Sequence, residues 1–160
     1  MHQPSSFDGD RGRLYVTDVT GGGFLVIWTK PEYGQDVVNL YGKKYDGFGS
    51  ESSFKVDLNS NFPNTTPVFA PLKSGGYVLV WVEETNLAKR SIYYQVLNNK
   101  FKPRTKRLLV KCGTHRQANP IIKGLDSGGF IITWEYESRH QDGYPEISLA
   151  AKKYDYRGKE

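Results

Sequence analysis

Gly22-Gly23-Phe24-Leu25-Val26-Ile27-Trp28 decides the fold, because the pattern returns twice, as Gly75-Gly76-Tyr77-Val78-Leu79-Val80-Trp81 and as Gly128-Gly129-Phe130-Ile131-Ile132-Thr133-Trp134. The tryptophans stand at 28, 81 and 134 and the leading aromatics at 24, 77 and 130, so both keep a period of 53 residues. Pro67 and Pro120 hold the same spacing ahead of the second and third copies. A constant period of this length is the mark of a tandem structural repeat.

Working outward, each copy closes on a related segment: Leu40-Tyr41-Gly42-Lys43-Lys44-Tyr45-Asp46, Ile92-Tyr93-Tyr94-Gln95-Val96-Leu97-Asn98 and Leu149-Ala150-Ala151-Lys152-Lys153-Tyr154-Asp155. The distance from the tryptophan to the residue before the Asp or Asn is 17, 16 and 20 residues, so the connecting loop varies while its flanking strands hold. A further apolar–polar alternation follows at Phe54, Val56 and Leu58, and at Leu108 and Val110. Each unit therefore reads as four strands: a short one at Val68 to Leu72 or Ile121 to Leu125, the glycine-led run, the closing segment, and a last one at Phe54 to Leu58 or Lys106 to Val110. The glycine-led run is apolar throughout, as in a strand covered on both faces. Its paired glycines suit a tight hairpin needing positive φ.

Composition agrees. The 160 residues include 11 Tyr, 8 Phe, 17 Gly and 8 Pro, which favours strands broken by turns. The expected organisation is a tail over residues 1–13, then repeats over 14–66, 67–119 and 120–160, the last lacking its fourth strand. Four antiparallel strands repeated in tandem imply an all-β, β-propeller-like array of about three blades; a β-sandwich and a β-solenoid are the alternatives. Eleven strands leave open edges, which favours pairing with another chain.

The sequence also excludes classes. A single cysteine, Cys112, rules out an internal disulfide framework and a paired-cysteine metal site. No apolar run approaches the ~20 residues that span a bilayer. Met1 to Asp10 are polar and contain no signal-peptide core.

The glycine–aromatic–tryptophan run, Gln141-Asp142-Gly143, a strand ending Lys-Lys-Tyr-Asp, and Gln117 to Pro120 as Gln-x-x-Pro together resemble a tandem repeat of large surface and secreted proteins of bacteria and protists. Copies one and three match best; copy two has Val96-Leu97-Asn98 where the others have Lys-Tyr-Asp. The resemblance implies a propeller-like extracellular or cell-surface scaffold. It carries no catalytic residue.

Candidate chemistry is sparse. His2, His115 and His140 have no ligand spacing, and Cys112 with His115 reads as a small buried thiol beside a loop histidine. No metal and no cofactor are expected. Asp46 and Asp155 read as turn caps. Gln35-Asp36 and Gln141-Asp142-Gly143 are too few oxygens for a calcium loop. Asn64-Thr65-Thr66 is a glycosylation sequon. Trp28, Trp81 and Trp134, with Phe24, Tyr77 and Phe130, are expected to fill one equivalent core site in every copy.

Charge is the one functional signal. The net is +5, and Lys100, Lys102, Arg104, Lys106, Arg107, Lys111 and Arg116 carry it without an intervening acid. Such a patch attracts polyanions, among them acidic glycans. The aromatic sheet of an RNA-binding module is absent, which disfavours nucleic acid. The expected function is a non-catalytic binding or scaffolding module for acidic glycans or a protein partner. Alternatives are a filament or coat subunit acting by self-association through open strand edges, and a propeller-type glycoside hydrolase, which needs two convergent carboxylates.

Overall fold

The computed structural model describes residues 14–19, 22–31, 38–60, 67–86, 89–112, 117–139 and 143–160. These form eleven strands in three antiparallel sheets, with no helix among the described residues. Sheet A holds β1 (Leu14–Asp18), β2 (Phe24–Pro31), β3 (Val38–Tyr45) and β4 (Glu51–Ser60) in that order. Sheet B repeats the order with β5 (Val68–Pro71), β6 (Tyr77–Asn86), β7 (Lys89–Leu97) and β8 (Leu108–Cys112). Sheet C holds β9 (Gln117–Gly124), β10 (Phe130–Arg139) and β11 (Pro145–Tyr154). Every neighbour is antiparallel and next in sequence, which is a blade's meander and not a parallel solenoid.

Local sequence explains the hairpins. Gly22, Gly75 and Gly128 turn between the first two strands with φ of 89°, 85° and 94°. The second glycine is required by a neighbour. A Cβ on Gly23, Gly76 or Gly129 would lie 2.1–2.2 Å from the carbonyl oxygen of Tyr45, Leu97 or Tyr154, on the third strand of the same sheet. A conformational and a steric demand therefore fall on successive residues, which is why the pair recurs.

The sheets stack face to face. Leu25, Ile27, Leu40, Val56 and Leu58 of sheet A pack on Phe69, Tyr77, Leu79, Trp81 and Leu97 of sheet B. Val78, Val80, Ile92, Tyr94 and Val96 on the other face of sheet B pack on Phe130, Ile132, Trp134 and Tyr154 of sheet C. Sheets B and C thus turn a tryptophan-bearing face toward the sheet before them, and sheets A and B a mainly aliphatic face toward the sheet after them. Strand β6 lies in the middle and is covered on both faces, as its apolar run implies.

One expectation needs correction. Trp81 and Trp134 are 1% and 4% exposed, but Trp28 is only half-buried and Phe24 is 42% exposed. The positions are equivalent in register: Phe24 pairs with Tyr45 and Trp28 with Tyr41, as Tyr77 pairs with Leu97 and Trp81 with Tyr93. Copy one, however, bears its tryptophan on the outward face of sheet A, which no other sheet covers among the described residues.

The two inter-sheet layers solve one packing problem in opposite ways. Gly42, Tyr94 and Ala151 occupy the same place in β3, β7 and β11. At Gly42 the Phe54 ring fills the missing side chain's space and stacks on Phe101, with centroids 3.6 Å apart. Phe101 reaches there from the loop after β7, with φ of 58° where the equivalent Gly49 and Gly158 have 87° and 80°. Positive φ is unfavourable for an aromatic residue, and burial against Phe54, Phe69 and Tyr77 offsets it. In the next layer the large residue is Tyr94 and the turn residue is Gly158. The tyrosine hydroxyl donates to the Gly158 carbonyl at 2.6 Å.

Candidate binding surface

Lys100 and Lys102 lie on the turn that follows the third strand, with Arg104 and Lys106 just beyond it, and that turn is built alike in all copies. Asp46 Oδ1 accepts from the amides of Phe48 and Ser50, Asn98 Oδ1 from those of Lys100 and Lys102, and Asp155 Oδ1 from those of Arg157 and Lys159. The first residue's amide also donates to the fifth residue's carbonyl, at 3.0, 2.8 and 2.8 Å. Those amide bonds hold the Asp46 and Asp155 carboxyls below the usual range, as expected when hydrogen bonds favour the charged form. The capping role assigned to these carboxylates accords with this geometry.

In copy two the loop continues along the sheet. Leu97 bridges Pro103, Arg104 donates its amide to the Val96 carbonyl at 2.7 Å, and Thr105 Oγ1 accepts from the Val96 amide at 3.0 Å. Gln95 Nε2 donates to the Thr105 carbonyl at 3.0 Å. The backbone is therefore braced, while Lys100, Lys102, Arg104 and Lys106 are exposed. Lys100, Lys102 and Lys106 have no ion pair among the described residues. Arg104 is partly committed, donating to the Gly75 carbonyl at 3.1 Å and so joining the two turns of sheet B.

Arg107 belongs to a different structure. Its guanidinium donates to both oxygens of Glu83, at 2.7 and 2.9 Å, and lies 4.4 Å from the Tyr93 ring centroid. Glu83 is buried and also accepts from Trp81 Nε1 at 2.8 Å. Removing Arg107 would strand a buried carboxylate, so this cation holds sheet B together and is not freely available to a ligand. The side chain of Lys111 and all of Arg116 lie outside the described residues. So do Asn64, His2, His115, His140, Gln35, Asp36, Gln141, Asp142 and the side chain of Cys112.

The structure adds two cations. Arg157 and Lys159 hold the third and fifth turn positions in copy three, as Lys100 and Lys102 do in copy two, and both are exposed. Aligning residues past Asn98 and Asp155 would have revealed them. The copies are tied at this end: Ser74 Oγ donates to the Gly128 carbonyl at 3.3 Å, and Lys73 meets Asp126 at 3.4 Å. Copy one offers Phe48 and Ser50 at those positions instead. Among the described residues no cluster of three metal-ligating side chains occurs.

No family model matches the chain, and no curated protein matches it. Among solved structures it resembles an endo-arabinase from Bacteroides thetaiotaomicron, at 18% sequence identity and a TM-score of 0.57. The likeness covers 87% of this chain and 55% of the enzyme's, so this chain spans little more than half the neighbour's length. The arrangement of the three sheets is accordingly β-propeller-like.

Proposed function

We propose that the chain is a non-catalytic binding and scaffolding module whose basic turn end takes an acidic glycan. The observation that supports this best is the set of exposed lysines with no ion-pair partner among the described residues, on a braced loop continued by Arg157 and Lys159 on the neighbouring turn. A preorganised loop loses little conformational entropy on binding. Spaced cations on it match a repeating polyanion better than a single small ligand. The resemblance to repeats of surface and secreted proteins supports an extracellular setting, and the endo-arabinase likeness supports carbohydrate as the ligand class.

Titration with heparin tests the reading. Binding at low ionic strength should fall steeply with salt, because the bound counterions are released. Lys100→Glu with Lys102→Glu and Lys106→Glu should weaken it at least about tenfold, while Lys43→Glu with Lys44→Glu should change it little. Arg104 is left intact because its bond to Gly75 is structural. Equal losses from both sets, or no binding at low salt, would refute the proposal.

A further inference from the structure

The outward face of sheet A and the outward face of sheet C each carry a cluster of exposed large hydrophobic side chains among their charged ones. On sheet A, Leu14 and Val16 are 69% and 63% exposed beside Phe24, Trp28, Tyr41 and Tyr45. On sheet C, Ile121, Ile147 and Leu149 are 66%, 73% and 80% exposed. The internal layers show what these faces fit. Sheet A exposes the tryptophan-bearing type of face, which in sheets B and C is covered by the aliphatic face of the preceding sheet. Sheet C exposes that aliphatic type: Leu149 stands where Leu40 and Ile92 are fully buried, and Ile131 where Leu25 and Val78 are.

We infer that these two faces are halves of one interface, and that a second copy of this chain docks head to tail, its sheet C against sheet A of the first. The inference is independent of the glycan reading. Charge favours the pairing. The two residues after each tryptophan are Thr29 and Lys30, Val82 and Glu83, Glu135 and Tyr136. Where Val82 and Tyr136 both pack into the layer between B and C, the new layer would set Glu135 of one copy near Lys30 of the next. Size is compatible as well. The new layer would set Ala151 against Gly49, both small, and the exposed ring of Phe48 stands beside Gly49 to take up the space. The contact is heterologous, so repetition closes a ring or continues as a line, depending on the rotation per copy.

Sedimentation of the full chain from micromolar to millimolar concentration tests this, with one variant for each face. Val16→Glu blocks sheet A and Leu149→Lys blocks sheet C; both residues are exposed, so unfolding midpoints should hold. The unmodified chain should associate reversibly. Each variant alone should lose at least about tenfold in association. An equimolar mixture should recover a one-to-one dimer that grows no further, because it contains one intact pair of faces. A chain that stays monomeric throughout overturns the inference. So does association lost through one face only, which marks a like-with-like contact, or a mixture that fails to recover the dimer.

Discussion

Trp28 and Trp81 share one sequence pattern and one register, yet their surroundings differ, and their energetic weights should differ with them. Trp81 lies between two sheets and donates to Glu83, so Trp81→Ala should cost roughly 3–5 kcal/mol. Trp28→Ala should cost only about 1–2 kcal/mol in the isolated chain, because part of its ring already meets water. Urea unfolding of both variants decides it, and equal losses would contradict the placement of sheet A. Spacing alone made the equivalence of these positions legible. It could not show which copy lacks a covering neighbour, because burial depends on the adjacent sheet and not on the repeat itself. The Glu83–Arg107 pair was hidden for a related reason. The partners are 24 residues apart on β6 and beyond β7, so Arg107 read as one more cation in a basic run.

At the scale of the element, the turn after the third strand is the best example of local sequence fixing local structure. Asp46, Asn98 and Asp155 accept the same two amides, and Asn98 shows that the cap needs the oxygen and not the charge. The charge does create a pH dependence. The folded-state values of Asp46 and Asp155 lie below the ordinary carboxylate value of about 3.9. Their contribution is therefore complete above that value and lost as pH falls through the lower folded one. Asp46→Asn with Asp155→Asn should leave the urea midpoint near neutrality almost unchanged and flatten its decline in acid. An unaltered acid decline would show that the caps do not titrate with folding. The paired glycines were equally legible as a turn. That the second makes room for a carbonyl of the third strand was not, since the close approach appears only once three strands are assembled.

Across the whole molecule, the layer between sheets B and C buries two tyrosines, Tyr94 and Tyr154, and so makes the fold sensitive to alkali. Burial pushes the Tyr94 hydroxyl up to about 12, with Glu160 and Asp155 adding to the shift, and burial raises Tyr154 as well. A raised folded value means that stability is complete below the ordinary tyrosine value of about 10 and is lost as pH rises through the higher one. Tyr94→Phe with Tyr154→Phe should lower stability at neutral pH, since the bond to Gly158 is lost, but should flatten its fall between pH ~10 and ~12. An unchanged slope would place the alkaline sensitivity elsewhere. The opposed fillings of the two layers also bear on how such an array can evolve. Gly42 with Phe101 and Tyr94 with Gly158 make each junction a lock with its own key. Duplicating the second unit beside itself would drive Tyr94 into the place of Phe101. Deleting it would put Gly158 where Phe101 stacks on Phe54, leaving that ring's place empty. Three segments built on one pattern are thus not interchangeable parts. Their order is written into the joints, and unequal recombination between them should yield chains that fold poorly.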